Sequence, residues 1–120
     1  MQISRKKINR NLQSQLAGLL YQVIADIGNP EEAKSFFQDF FTKTEHSIIV
    51  KRLAIAYYLN KGKSYRDIKD HLSVSSATIS TVADLTKKKN GFNLAIKKIE
   101  TDEWADKWTQ RIIKTFKIKS

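Results

Sequence analysis

Residues 61–82 read KGKSYRDIKDHLSVSSATISTV, and this stretch decides the fold. Ser64 and Ser75 each precede an amphipathic segment, and a serine in that position accepts hydrogen bonds from the first turn of a helix. Residues 73–75 lie between the two segments as a tight turn. Two short helices joined in this way predict a helix-turn-helix whose second helix, roughly 76–86, projects outward. The side chains that we expect to face inward are Tyr65, Ile68, Leu72, Ile79, Val82 and Ala83.

The outward side of the second helix carries small side chains. They are Ser76, Ala77, Thr78, Ser80 and Thr81. Small side chains let a helix backbone approach the base pairs, hydroxyls can bond base edges, and the methyl groups of Ala77 and Thr78 can meet a thymine methyl. The sequence therefore predicts that the N-terminal turn of this helix contacts bases in the major groove of double-stranded DNA.

Basic residues flank these small side chains. Arg66 and Lys69 lie on the outer side of the first helix, suited to a phosphate or a guanine, and residues Lys87, Lys88 and Lys89 follow the second helix, suited to backbone phosphates. The chain carries a formal net charge of +10, and such an excess suggests a polyanionic partner. Two alternatives stay open, namely a Lys-rich surface of no special function and an ordinary helical hairpin with a solvated Ser/Thr face.

The remainder of the chain also predicts helices, so the fold class is all-α. Apolar residues recur every three or four positions from Ile3 to Ile27, which predicts one long helix ended by Gly28 in the left-handed conformation. Capping boxes at residues 29–32 and 42–45 begin two further helices. The first has Phe36, Phe37, Phe40 and Phe41 along one side. The second is expected to end at Gly62 and to bury Ile48, Ile49, Leu53, Ile55, Ala56 and Leu59.

The C-terminal third predicts two more helices. Asn90-Gly91 should break the chain before a sixth helix that carries Phe92, Ala95, Ile96 and Ile99 inward. Thr101 or Asp102 should cap a seventh helix, in which Trp104, Trp108, Ile112 and Phe116 follow every fourth position. We expect these tryptophans to pack in the core. The alternative is an exposed stripe that docks another protein.

Several functional classes lack support in the sequence. Cysteine is absent, and His46 and His71 have no partners at metal-ligand spacing, so no metal site is predicted. No nucleophile motif or phosphate-binding glycine loop is present, so we predict that the protein is not an enzyme. No apolar run approaches a membrane span, and no apolar segment follows the basic residues near Met1. The chain is therefore expected to be cytoplasmic and associated with the nucleoid.

The sequence resembles the Trp repressor superfamily, most closely its YerC/YecD-type branch. The resemblance covers about residues 12–99 and is carried by residues 36–42, Glu45 and residues 51–56, 62–68 and 74–80, of which the last block is the most specific. It implies a six-helix fold, an intertwined homodimer with interleaved N-terminal helices, and repression at a palindromic operator. Residues 1–100 would then form the DNA-binding domain, and residues 101–120 a C-terminal helical extension.

The resemblance also bears on an effector. Trp repressors hold L-tryptophan between an arginine of the central helix, an arginine of the recognition helix and a threonine. Arg52 matches the first and Thr42 the last, which makes them a possible effector pocket, but the recognition-helix arginine is Thr81 here. The glycine that leaves room for the indole is Val82, and a nearby serine is Leu85. Without the second cation and with that space filled, we predict no cofactor and no tryptophan corepressor.

Together these features predict a dimeric, sequence-specific, double-stranded DNA-binding transcriptional regulator, most simply a repressor. Two other functions would use the same residues differently. A non-specific nucleic-acid-binding protein would depend on its basic surface alone and would show a steep salt dependence. A helical protein-interaction module would use the Trp104 and Trp108 stripe instead.

Overall fold

A computed structural model describes residues 6–102 and 104–119, and all regular structure in these ranges is helical. The predicted all-α class is therefore confirmed. The chain divides into two compact units, Met1–Lys43 and Thr44–Ser120. The helices are α1 (Arg10–Asp26), α2 (Pro30–Phe40), α3 (Lys43–Asn60), α4 (Tyr65–Leu72), α5 (Ser76–Lys88), α6 (Asn90–Thr101) and α7 (Ala105–Lys119).

Helix α1 is shorter than its apolar periodicity predicts. It begins at Arg10 because the side-chain oxygen of Asn9 accepts hydrogen bonds from the backbone N–H groups of Asn11, at 2.8 Å, and Leu12, at 3.3 Å. The predicted start at Ile3 lies outside the described residues, and residues 6–9 are not helical. The predicted left-handed Gly28 is wrong. The helix ends at Asp26, and the next residue, Ile27, has an extended backbone and donates its N–H to the Ile24 carbonyl.

Helix α2 begins at the predicted capping box. The Asn29 side chain accepts from the Glu32 N–H and donates to the Glu32 carboxylate, each at 2.9 Å. Its phenylalanines form two stacked pairs, Phe36 with Phe40 at 4.4 Å between ring centroids and Phe37 with Phe41 at 5.2 Å. Neither α1 nor α2 contains a buried residue among those described. The first unit thus has apolar faces but no enclosed core of its own.

Helix α3 ends as predicted, because Gly62 adopts a left-handed φ of 77°. Its buried residues are Ile55, Ala56 and Tyr57. The predicted burial of Ile48, Ile49 and Leu53 is wrong for the single chain, where these side chains are 45%, 39% and 42% exposed. The core encloses only the C-terminal half of α3, so its earlier apolar residues form an uncovered face.

The core of the second unit joins α3, α4, α5 and α6. Ile55, Ile68 and Ile79 are completely buried, and Val82 and Ile96 are nearly so. Leu72, Val74 and Phe92 pack against this cluster. Each such side chain contributes about 1.5–3 kcal/mol relative to an exposed one. Tyr65 was expected to face inward, but it is the first residue of α4, one turn before Ile68, and it stays exposed.

The break between α5 and α6 lies one residue earlier than predicted. Lys89 has extended backbone angles and its N–H donates to the Leu85 carbonyl at 2.8 Å, whereas Asn90 and Gly91 already belong to α6. A single non-helical residue is enough to separate the two helices. The sequence placed the break at Asn90-Gly91 because that dipeptide is a strong turn signal, but here it begins a helix.

Helix α7 follows α6 after a short turn. The Thr101 hydroxyl donates to the Lys97 carbonyl within α6, so Thr101 does not cap α7. The Asp102 carbonyl accepts from the Ala105 N–H at 3.1 Å, and the Asp102 carboxylate accepts from the Trp104 indole N–H at 3.2 Å. The expected core packing of Trp104 and Trp108 is wrong for the single chain, since both are about half exposed. The predicted role of Phe116 falls on a side chain outside the described residues.

A cavity of about 430 Å³ lies between α3, α6 and α7, and we call it the tryptophan groove. Trp104 and Trp108 form one side of it, and Val50, Leu53 and Tyr57 line it from α3. The residues lining it are all uncharged. Tyr58 also lines it, and burial, followed by the neighbouring Tyr57, raises the pKa of its hydroxyl above the usual 10.0.

Candidate nucleic-acid interface

Helices α4 and α5 form the helix-turn-helix that the sequence predicts. The Ser64 hydroxyl oxygen accepts from the Asp67 N–H at 3.1 Å, which fixes the start of α4. Ser73 ends it with a left-handed φ of 53°, and its N–H donates to the Lys69 carbonyl at 2.9 Å. The Ser75 hydroxyl oxygen accepts from the Thr78 N–H at 3.1 Å and begins α5. The turn therefore begins with Ser73, whose left-handed backbone is strained, and ends with Ser75, which caps α5.

Helix α5 separates its buried and exposed residues clearly. Ile79 and Val82 enter the core, and Ala83 is half-buried. All five small residues that the sequence placed on the outer side are exposed: Ser76, Ala77, Thr78, Ser80 and Thr81. Because the two buried residues lie three positions apart on one side of the helix, the N-terminal turn of α5 faces solvent on the other. The geometry that base contact requires is therefore present in the second unit.

The hydroxyl groups on this face differ in their hydrogen bonding. The Thr78 hydroxyl lies 2.9 Å from the Ser75 hydroxyl, and the Thr81 hydroxyl donates to the Ala77 carbonyl at 3.0 Å. Within the described part of the chain, the hydroxyls of Ser76 and Ser80 make no hydrogen bond. They can form new bonds without breaking a local one. The sequence could not distinguish the bonded hydroxyls from the unbonded ones, because the direction of a side-chain hydroxyl depends on its rotamer.

The predicted phosphate contacts are also at the surface. Arg66 and Lys69 are exposed on α4, and Lys87 and Lys88 are exposed in the last turn of α5. Cations at the C-terminal end of a helix are favoured by its dipole, so the last two also stabilise α5. Lys89 is exposed between α5 and α6. The basic groups thus lie at both ends of the helix-turn-helix, and the small side chains lie between them along the chain.

The two residues of the predicted effector pocket belong to different units. Thr42 lies just before α3 in the first unit, and Arg52 is exposed on α3 in the second. Arg52 lines an open cavity of about 430 Å³ together with Lys89 and the apolar side chains of Ile49, Leu53 and Phe92. The sequence did not associate Lys89 with Arg52. The only sequence signal for this proximity was the predicted break near residue 90, after which the chain lies beside α3 again.

Val82 and Thr81 occupy their positions for structural reasons. Val82 is 2% exposed and belongs to the core cluster with Ile55 and Ile79. Thr81 is exposed and bonded to the turn before it. Leu85 is half-buried. Val82 and Leu85 thus place aliphatic side chains on α5 where the resemblance to Trp repressors led us to expect a filled indole site.

The described ranges, 6–102 and 104–119, were compared with the requirements of a metal site and of a membrane-spanning helix. No group of three or more His, Asp or Glu side chains there could hold a metal ion. None of the helices in those ranges combines the length and the hydropathy required to cross a bilayer.

Comparison with known protein families gives a match over most of the chain. The family model described as Trp repressor protein matches residues 14–100, which include α2 to α5 and most of α1 and α6. No curated protein and no solved structure matches the chain. Members of the matching family are DNA-binding regulators rather than enzymes. With a capped helix-turn-helix, an exposed α5 and a match over most of its length, the chain belongs to the Trp repressor family.

Proposed function

We propose that the protein is a sequence-specific, double-stranded DNA-binding transcriptional repressor that acts as a homodimer and inserts α5 into the major groove. The observation that carries the proposal is the exposure of Ser76, Ala77, Thr78, Ser80 and Thr81 on a helix whose other side is held in the core. A recognition helix needs both properties, because its base-contacting side must be free while its orientation is fixed. We further assign the chain to the YerC/YecD-type branch and to the cytoplasm.

Sequence preference would come mainly from the N-terminal half of α5. Ser76 and Ser80 offer hydroxyls with no competing hydrogen bond, so they are the strongest candidates for contacts to base edges. Ala77 and Thr78 present methyl groups that suit a thymine. Thr78 is also held by Ser75, which limits its rotamers and lowers the entropy lost on binding.

Affinity would come mainly from the basic side chains. Arg66 and Lys69 on α4 and Lys87, Lys88 and Lys89 at the end of α5 would contact phosphates on either side of the bases that α5 contacts. Each phosphate neutralised releases counterions, so we expect binding to weaken steeply with salt. The net charge of +10 favours fast association with DNA in the same way.

The uncovered apolar faces support a homodimer. Helix α1 has no buried residue, although Leu12, Leu16, Leu19 and Leu20 recur along it and are each at least 40% exposed. Ile48 and Ile49 on α3 are similarly exposed. Apolar surface on this scale normally marks an interface, and a symmetric dimer would present two recognition helices to a palindromic site.

Tryptophan is not the expected corepressor. Arg52 is available, but Thr81 cannot supply a second cation, and Val82 and Leu85 fill the neighbouring side of α5. A carboxylate held by one guanidinium instead of two loses a charge-assisted hydrogen bond, which is worth about 1.5–3 kcal/mol. We propose that DNA binding requires no cofactor.

Selection of bound duplexes from a random DNA library would test this function. Purified protein should enrich a palindrome whose half-sites are separated by about one helical turn or a multiple of it. The same protein should bind the enriched duplex at least about a thousandfold more tightly than random DNA. If no sequence is enriched and all duplexes bind with equal affinity, the protein binds DNA non-specifically and the proposed sequence recognition is wrong.

A further inference from the structure

One side of the tryptophan groove lies outside the family match. The match ends at residue 100, whereas Trp104 and Trp108 belong to the segment after it. Both sides of the tryptophan groove are open to solvent. Trp104 is 49% exposed, Trp108 is 48% exposed, and Val50 on α3 is 51% exposed. An open apolar groove is better suited to binding a helix with large side chains than to enclosing a small molecule.

The distribution of charge along the chain indicates which helix fits the groove. The residues that line the groove are uncharged. Of the seven described helices, only α1 has an uncharged interior, because no charged residue lies between Arg10 and Asp26. Two copies of a chain with a charge of +10 repel each other, so a contact between copies needs uncharged surfaces. Helix α1 and the groove are two such surfaces.

Both surfaces present exposed apolar side chains. No residue of α1 is buried, and its Leu16 and Leu19 are 49% and 62% exposed. At the groove, Val50, Leu53, Trp104 and Trp108 are between 42% and 51% exposed. In a two-fold symmetric dimer, each copy would offer one α1 and one groove, and both pairs of surfaces would be satisfied together.

We propose that the tryptophan groove receives helix α1 of a second copy of this chain, so that α7 clamps the dimer. This inference rests on the homodimer of the proposed function and extends it to a segment outside the family match. Leu16 and Leu19 would enter the groove between Trp108 and Leu53. The buried tryptophans would then be main contributors to dimer affinity, as large aromatic side chains are at other interfaces.

Tryptophan fluorescence gives a direct test, because both tryptophans of the chain line the groove. The full-length protein should be diluted through its dimer–monomer transition while sedimentation equilibrium measures the dissociation. The emission should shift to longer wavelength, and acrylamide quenching should increase, with the same midpoint as the dissociation. Emission that stays constant through the transition would overturn the inference.

A variant pair tests the energetic role. Trp108→Ser should raise the dimer dissociation constant by about tenfold or more, whereas Lys107→Ser, at an exposed neighbouring position outside the groove, should leave it within about twofold. Circular dichroism of both variants checks that the helices persist. If Trp108→Ser dimerises like the unchanged chain, α7 does not clamp the dimer.

Cross-linking identifies the occupant and works even if Trp108→Ser fails to fold. The chain has no cysteine, so Leu16→Cys and Thr109→Cys can be made in separate, size-distinguishable chains and mixed with a short bis-maleimide. A mixed cross-linked product supports α1 of a second copy. A dimer that yields no mixed product overturns this inference alone and leaves the repressor proposal in place. A monomer at all concentrations overturns both the clamp and the dimer.

Discussion

The hydroxyls of Ser75 and Thr78 lie 2.9 Å apart, and the Ser75 oxygen also accepts the backbone N–H of Thr78 at 3.1 Å. One side chain therefore begins the recognition helix and orients one of its proposed base contacts. Substitutions at Ser75 and Thr78 therefore test both the stability of α5 and its proposed DNA recognition.

Ser75→Ala should lower the free energy of unfolding by about 1 kcal/mol, because the first turn of α5 loses its cap. Chemical denaturation measures this change. Ser76→Ala is the matched control, since the Ser76 hydroxyl makes no hydrogen bond within the described residues. Equal destabilisation by the two substitutions would contradict the capping role of Ser75.

Ser80→Ala should relax the DNA preference at one or two base pairs without changing the fold. The Ser80 hydroxyl is exposed and has no partner in the described part of the chain, so its loss removes the proposed base contact and no hydrogen bond within the protein. The expected loss of discrimination is about 1 kcal/mol. Competition between the selected duplex and its single-base variants measures it. Unchanged preference at every position would remove Ser80 from the interface.

Lys88→Ala should weaken binding to every duplex alike. Its ammonium group is exposed at the end of α5, where it can neutralise a phosphate but reaches no base edge in this proposal. The slope of log affinity against log salt should fall in magnitude by about one unit. Titrations of cognate and random DNA at several salt concentrations provide the measurement. A loss confined to the cognate duplex would show that Lys88 contributes to base recognition.

Added L-tryptophan should leave DNA affinity unchanged, because Thr81 supplies no second cation beside Arg52 and Val82 replaces the glycine that makes room for an indole in Trp repressors. Titration of the selected duplex with and without tryptophan is the measurement. Arg52→Ala should bind DNA with the same affinity as the unchanged chain in both conditions. Tighter binding in the presence of tryptophan, lost in Arg52→Ala, would restore the corepressor.

Gly62→Ala and Ser73→Gly should change stability in opposite directions. Gly62 has a φ of 77° with nothing within 4 Å of an added Cβ, so alanine there meets only backbone strain and should cost about 1–2 kcal/mol. Ser73 has a φ of 53°, and glycine would relieve its strain. The greater freedom of glycine in the unfolded chain opposes that gain, which leaves a net gain of about 0.5 kcal/mol. Denaturation of both variants tests the signs.

The helix-turn-helix could be predicted from local signals. Ser64 and Ser75 are caps whose bonding partners lie three residues away, and Ile68 and Ile79 follow the helical period. These features depend on neighbours in the chain, which a sequence displays directly. The left-handed residue in the turn, Ser73, was not predicted, because serine does not favour that conformation.

Burial on the long helices was predicted less accurately than the helix-turn-helix. Ile48, Leu53 and Trp108 have the periodicity of buried residues, yet the single chain leaves them exposed. Apolar periodicity indicates that a face will be covered, but it does not state whether the cover comes from the same chain or from another copy. The hydroxyl of Ser80 illustrates a second limit, because its lack of a partner depends on rotamers.

Lys89 is the only non-helical residue between α5 and α6, with φ and ψ of −120° and 128°. Two soft torsions therefore connect the proposed recognition helix to the helix that follows it. Any change in the tilt of α5 relative to α6 must pass through those torsions or distort a helix end. In the proposed dimer, a rotation about these torsions would therefore change the distance between the two recognition helices.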